Sequence, residues 1–286
     1  MKSKRRRRTF LIVLLLLVIS AAILVFDSNT RLVTTEYELS YPNLPEQYDG
    51  FRIVQLSDLH SSEFGKDNTR LIEKVRDAKP DIIAVTGDLI DRYQIKKPVE
   101  KQLEVAEALI TALVPIAPVY YVTGNHEWDS GVIHPLLDML EERGVHVLRN
   151  QYQRLENGGG AIIIAGAEDP NGPADGIKPA DFVEKIFEDE GASFLVMLTH
   201  RNNTLPLYSS LGVDLVLCGH AHGGIVRLPF TDGLVGPNFD FLPTYTNGVY
   251  TMGTTNMIVS RGLGNHIGWP RFLNNPHIVA AVLKHA

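Results

Sequence analysis

Five short polar motifs carry residue types that could do chemistry: Asp58-Leu59-His60, Gly87-Asp88, Gly124-Asn125-His126-Glu127, Thr199-His200 and Gly219-His220-Ala221-His222. Imidazole and carboxylate are ligands for borderline metals such as zinc, manganese and iron. Asp58 and His60 lie two residues apart, as do His220 and His222, so in an extended turn both members of a pair can face one ion. Asp88 follows a glycine, where its two oxygens can bridge two ions, and Asn125 offers a neutral amide oxygen. The seven candidate ligands Asp58, His60, Asp88, Asn125, His200, His220 and His222, with one shared, make two sites of four protein ligands each. The expected cofactors are therefore two divalent ions: manganese, iron or zinc. Such ions, roughly 3.5–4 Å apart, clamp phosphorus for in-line displacement and hold a bridging hydroxide as nucleophile, because metal binding lowers the pKa of water from about 15.7 to near 7. His126 is read as a catalytic group and not a ligand, placed to protonate the leaving oxygen or to stabilise phosphoryl charge.

Each motif follows an apolar segment that reads as a strand. Strands are expected at 51–56, 82–86, 119–123, 161–165, 194–199 and 215–218, alternating with amphipathic helices at 68–78, 98–113, 133–143, 179–189 and 204–211. That alternation implies an α/β fold with mostly buried strands. In such sheets ligands bind outside the carboxyl ends of the strands, where all five motifs fall. From Ile225 onward short strands at 248–252, 257–260 and 278–283 stand between Gly/Pro-rich loops, which reads as a second, more antiparallel sheet. No internal repeat and no boundary after residue 50 is visible. The expected organisation is a basic N-terminus and signal anchor (1–30), a linker with one early strand at 33–40 (31–50), and a catalytic domain (51–286).

Charge is unevenly spread over the 286 residues, whose net charge is −6. Six of the 27 basic residues precede position 9 and no acidic residue precedes Asp27, which leaves 21 basic against 33 acidic residues, a net −12, in the remainder. A body that acidic argues against nucleic-acid binding, although a bound metal can reverse the field locally for a small phosphorylated substrate. Phe10 to Phe26 form an apolar run broken only by Ser20. With arginines before it, the run reads as a retained single-pass anchor of the cell membrane that leaves the body outside the cytoplasm. Arg7-Arg8-Thr9-Phe10-Leu11 also resembles a twin-arginine export signal, and an ordinary signal anchor accounts for the same cluster. The lone Cys218 lies in a strand and cannot form an internal disulfide, so the core must hold the fold.

The order and content of these motifs resemble the five-block signature of the calcineurin-like metallophosphoesterases, and the resemblance runs from about residue 50 to the C-terminus. It implies a four-layer α/β/β/α sandwich of two mixed sheets, here with an N-terminal transmembrane helix. It further implies that Asp58, His60, Asp88 and His222 hold one metal, that Asp88, Asn125, His200 and His220 hold the other, and that His126 acts near the leaving group. The anchor, Gly223-Gly224, Val226 to Phe230 and Ser260 to Gly264 are similar to the membrane-linked bacterial, YkuE-like branch. Some relatives of that branch act on UDP-2,3-diacylglucosamine and others on simple phosphodiesters. Ala221, Ile225 and Arg201 depart from residues common in the family, and none removes a ligand. Expected partners are thus a small phosphoester or lipid-phosphate substrate and the membrane.

Other residues carry weaker signals. His134, His146, His266, His277 and His285 read as surface or loop residues, with His266 of note for its glycine-rich loop. Asp91 and Glu127 are candidates to support the ligands. Phe230, Leu234, Phe239, Phe241, Leu242, Trp269 and Phe272 read either as packing on the second sheet or as an apolar lip that admits an acyl chain or dips into the bilayer. Two rivals to a phosphoesterase are a non-catalytic metal-binding scaffold of the same fold and a hydrolase acting on carbon.

Overall fold

A computed structural model of the protein describes residues 2–92, 97–173, 177–229, 231–236, 239–265 and 270–286. His266, Phe230 and Trp269 lie outside the described residues.

The apolar runs noted above become strands that need cover on both faces. One sheet contains β1 (Val33–Tyr41), β2 (Arg52–Leu56), β3 (Ile82–Thr86), β4 (Val119–Val122), β5 (His146–Val147) and β12 (His277–His285), in the order β1-β12-β2-β3-β4-β5. The other contains β6 (Gln151–Asn157), β7 (Gly160–Gly166), β8 (Phe194–Leu198), β9 (Leu215–Cys218), β10 (Gly248–Met252) and β11 (Thr255–Val259), in the order β10-β11-β9-β8-β7-β6. The central strands β2-β3-β4-β5 and β7-β8-β9-β11 run parallel, while β12 on β2, β10 on β11 and β6 on β7 are antiparallel, so both sheets are mixed.

Alternate residues of each strand enter different layers, as the two-residue period of a strand requires. Ile53, Ala84, Val122, Ile164, Val196, Leu217 and Ile258 meet between the sheets. Val54, Ile83, Val85 and Tyr121 pack instead against α2 (Thr69–Asp77), α3 (Val99–Leu113) and α5 (Ile133–Glu142) through Leu71, Val75, Leu109, Leu113, Leu136 and Leu140. On the far side Ile163, Leu195, Met197 and Val216 pack against α6 (Pro179–Glu190) and α7 (Leu205–Ser210) through Phe182, Ile186, Leu205 and Tyr208. The result is the expected four-layer α/β/β/α sandwich, with the parallel strand ends of both sheets meeting at one edge.

Two expectations need correction, whereas the early strand expected at 33–40 is present as β1. The C-terminal strands do not all join one sheet: β10 and β11 extend the second, whereas β12 enters the first between β1 and β2. Its residues explain this, since Ile278 and Ala280 face the helix side while Val279, Ala281 and Leu283 face the other sheet, and a strand apolar on both sides needs an interior position. The early strand β1 pairs with β12 along its whole length, from Val33–His277 to Tyr41–His285, so sheet structure begins before residue 51. His277 is fully buried on β12 with Nε2 2.9 Å from Thr35 Oγ1, and is not a surface residue.

The helix α1 (Lys2–Thr30) is long and apolar enough to cross a membrane and is exposed along its apolar run, which suggests membrane anchoring. Cys218 is fully buried, as packing requires.

Candidate metal centre

The seven candidate ligands and His126 converge on one buried place at the ends of β2, β3, β4, β8 and β9; none is more than 9% exposed. Asp58, His60, Asp88 and His222 bring one ligand atom each within 4.8 Å of one another, and Asp88, His200 and His220 do the same beside them. Asp88 belongs to both groups. Its Oδ2 lies 3.2 Å from His200 Nε2, 3.7 Å from His60 Nε2 and 3.9 Å from His126 Nε2. Across the first group His222 Nε2 is 3.1 Å from His60 Nε2 and 3.5 Å from Asp58 Oδ1. In the second, His200 Nε2 is 3.1 Å from His220 Nδ1.

The turns that aim these groups are unusual. Asp58, His60, Asp88, His220 and His222 all adopt left-handed φ, at 51°, 46°, 52°, 65° and 48°. Such residues cost roughly 1–3 kcal/mol each and persist only when their surroundings fix them. Close approach then demands glycine. A Cβ on Gly124 would stand 2.2 Å from Asp88 Oδ1, and one on Gly219 would stand 2.3 Å from Asp58 Oδ2.

Supporting contacts orient the ligands. His200 Nδ1 is 2.9 Å from Thr86 O, which leaves Nε2 facing Asp88 as the nitrogen that would take an ion once its proton is lost. Asp58 accepts the His220 N–H at 3.1 Å. Glu127, in the short helix α4 (Asn125–Asp129), accepts from the backbone N–H groups of Gly124 (2.8 Å), Asp88 (3.0 Å), Leu89 (2.5 Å) and Ile90 (3.4 Å), so one fully buried carboxylate builds the turn that holds Asp88. Asp91 Oδ1 lies 2.9 Å from His126 Nδ1. Sequence alone had offered Asp91 and Glu127 only as candidates.

Arg92 and Arg271 were missed as site residues, and Arg201 was noted only as a departure from residues common in the family. Arg201 is held by both oxygens of Asp169 at 2.7 and 3.0 Å and places Nη1 3.2 Å from His220 Nε2. Arg92 adjoins His126 through its backbone and pairs with Asp129 at 2.8 Å. Its signal was its place directly after Asp91. Arg271, 1% exposed, donates to Asn265 Oδ1 and to the carbonyls of Arg261 and Gly264, and nothing local in its sequence announces burial.

Electrostatics fit a site made for cations. Burial pushes Asp58 up to about 6, with the neighbouring Asp88 adding to it. Burial also opposes charge on Asp88 and His200, yet their mutual attraction prevails: Asp88 sits well below the usual carboxylate range and His200 is raised to about 10. Burial, aided by His200 and Arg201, holds His220 well below the ordinary imidazole range. Burial and Asp88 together raise Glu127 to about 7. The buried Asn125 Oδ1 has no hydrogen-bond partner among the described residues. A buried amide oxygen without a donor is costly, and a cation beside it would satisfy it. Imidazole, carboxylate and amide donors in this arrangement suit a divalent metal. A cavity of about 600 Å³ beside β6 and α6, lined by Tyr152, Phe182 and Lys185, lies away from the centre and gathers no comparable chemistry.

A family model described as calcineurin-like phosphoesterase matches residues 51–224, spanning all five motifs. The chain belongs to the calcineurin-like phosphoesterase family. A metallophosphoesterase of Bacillus subtilis (strain 168), YkuE, is 31% identical over 257 residues, which is 88% of this chain and 85% of that one. A Danio rerio transmembrane protein with metallophosphoesterase domain is 28% identical over 269 residues; the match takes in 88% of this chain but 57% of that protein. Among solved structures, Haemophilus influenzae NAD nucleotidase is similar with a TM-score of 0.50 at 14% identity, over 78% of this chain and 45% of that one, a likeness of fold. This calcineurin-like phosphoesterase is a metal-dependent phosphoric ester hydrolase of the YkuE-like branch, with a divalent-metal centre formed from its histidines and aspartates.

Proposed function

We propose that the protein hydrolyses a phosphodiester or pyrophosphate bond with two divalent ions, manganese, iron or zinc. Asp58, His60, Asp88 and His222 would hold one ion, and Asp88, Asn125, His200 and His220 the other. The carrying observation is the position of Asp88 Oδ2, within 3.9 Å of histidines from both groups. Bound divalent ions supply Lewis acidity at phosphorus and water ionised near neutral pH. The chain does the rest. Thr86 O and Glu127 fix the ring of His200 and the turn of Asp88. His126, with Nδ1 on Asp91 and Nε2 facing Asp88, gives a proton to the leaving oxygen as the phosphorus–oxygen bond to it breaks and the bond to water oxygen forms. No covalent enzyme intermediate is needed.

The finer reading is an amphiphilic substrate such as UDP-2,3-diacylglucosamine, favoured by the exposed Phe239, Phe241 and Leu242 in the segment that leads away from His222. In this reading α1 is retained as a single-pass anchor, the body lies outside the cytoplasm, export by the twin-arginine route fits Arg7-Arg8, and residues 51–286 with β1 are the catalytic unit. Metal analysis together with turnover of bis-p-nitrophenyl phosphate, p-nitrophenyl phosphate and a peptide ester tests the function. Hydrolysis of the first, dependent on added metal, is expected; hydrolysis of the peptide ester alone would replace the proposal.

A further inference from the structure

The geometry points to a membrane-docking surface made by residues 228–229, 231–236 and 239–242 together with the base of α1, so that the metal centre opens at the lipid surface. The inference rests on the anchor reading above and adds where the site faces.

Continuity carries the argument. Asn29, in the last turn of α1, binds both backbone groups of Arg271: its Nδ2 donates to the carbonyl at 3.0 Å and its Oδ1 accepts the N–H at 3.0 Å. The next residue, Phe272, donates to Ile225 O at 3.3 Å and accepts from Arg227 N at 3.0 Å. The step from residue 271 to 272 thus ties the end of the anchor to residues 225–227, which lead directly into the surface. The segment is equally tied to the metal loop. A Cβ on Gly224 would come within 2.3 Å of Gly233 Cα, so the two backbones touch two residues beyond His222. Asn274 Nδ2 donates to His222 O at 2.7 Å.

The far end of this segment points its apolar side chains outward. Phe239, Phe241 and Leu242 are 57%, 74% and 59% exposed. Phe239 and Leu242 have φ of 61° and 54°, a conformation that bulky side chains rarely adopt. Exposure and conformation are both unfavourable in water, and an apolar medium would relieve the first.

Charge agrees. In a body of net −12, Arg31 and Arg70 stand exposed at the base of α1, Arg70 donating to Thr30 O at 2.7 Å. Arg227 lies close enough to Arg261 to oppose its charge. Asp27 and Asp232 offset part of this charge by pairing with Arg31 and Arg227, and residues 228–242 add the exposed Asp240 and no basic residue of their own, so the cations stand at the base of α1 and not beside the apolar tip. Cations at the base of an anchor complement anionic headgroups. A second protein would not require the surface to begin where the anchor ends.

The test uses the full chain in nanodiscs of phosphatidylcholine and phosphatidylglycerol, with a spin label on Phe241→Cys. Native Cys218 is fully buried, out of reach of the label. A label on Leu228→Cys provides a second position and one on Leu207→Cys, on α7, the aqueous control. Labels at 241 and 228 should be relaxed several-fold more by oxygen than by a water-soluble nickel complex, and the control should show the reverse. Labels at 241 and 228 as nickel-accessible as the control would overturn the proposal. So would a label shielded from both reagents and cross-linked between chains, which marks a protein interface. Each labelled chain is first checked for metal-dependent turnover of bis-p-nitrophenyl phosphate. Failure of the unmodified chain on that substrate counts against the phosphoesterase reading and leaves the depth measurement standing.

Discussion

Glu127→Gln is the perturbation whose size can be worked from contacts. The two carboxylate oxygens serve four backbone N–H groups, with Oε1 accepting from Leu89 and Ile90 and Oε2 from Asp88 and Gly124. A glutamine amide replaces one oxygen with a donor, so whichever way it flips two of the four N–H groups lose their acceptor. An orphaned buried donor costs about 1–3 kcal/mol. The sum is kept near 2–4 kcal/mol because the amide can abandon the longer bond to Ile90 and because glutamine removes a buried charge whose burial already raises Glu127 to about 7. Near 2–4 °C per kcal/mol for a chain of this size, the metal-free protein should melt about 4–16 °C lower. The turn that loosens is the one carrying Asp88, so metal affinity should fall about 10–100-fold, as for other residues that orient ligands. Thermal unfolding of metal-free protein and competition against a chelator read the two effects separately. If Glu127→Gln leaves both unchanged, the carboxylate does not build the turn and the reasoning fails.

Three further outcomes follow from the same geometry. His126→Ala should keep its metals but turn over about 10²–10⁴-fold more slowly, and full activity in that variant would remove its assigned role. Gly124→Ala forces a Cβ to 2.2 Å from Asp88 Oδ1 and should strip bound metal without loss of secondary structure by circular dichroism; normal metal content would show that the turn can yield. Metal binding should release protons: His200, raised to about 10 by Asp88 against the effect of burial, holds a proton at pH 8 and must lose it to bind an ion. Calorimetry in buffers of different ionisation enthalpy should find about two protons released per chain at that pH, one from His200 and one from the water that the ions ionise, and release of one or none would contradict the assignment of His200.

Much of this was legible because the chemistry-bearing residues follow runs of unmistakable strand character. Ile82–Thr86 and Leu215–Cys218 have the bounds their composition implies, since four consecutive apolar residues, followed in the first by a β-branched threonine and flanked by Gly-Asp or Gly-His, leave little choice. The helices on the outer faces were equally plain from residues such as Leu136, Leu137 and Leu140, spaced to line one side. What the sequence hid was partnership at a distance. The strand β6 is mostly polar, with only Tyr152 and Leu155 apolar, and edge-placed, so Gln151–Asn157 lacks an apolar signature. Asn125 opens a helix instead of closing a loop, because Glu127 turns back to accept the Gly124 N–H. The sheet chosen by β12 depends on which layers cover its two faces, which no local pattern states. Arg201 and Asp169 are 32 positions apart, and only folding shows that they form a clamp beside His220.

The central claim is that one carboxylate, Asp88, joins two sets of ligands around a pair of cations. Metal counting by mass spectrometry on the purified chain and on Asp88→Asn, each loaded with manganese or zinc and desalted, tests it most directly. The account predicts two ions per chain in the native protein and the loss of both, with nearly all turnover, in the variant. One ion in the native chain, or two retained in Asp88→Asn, would contradict it.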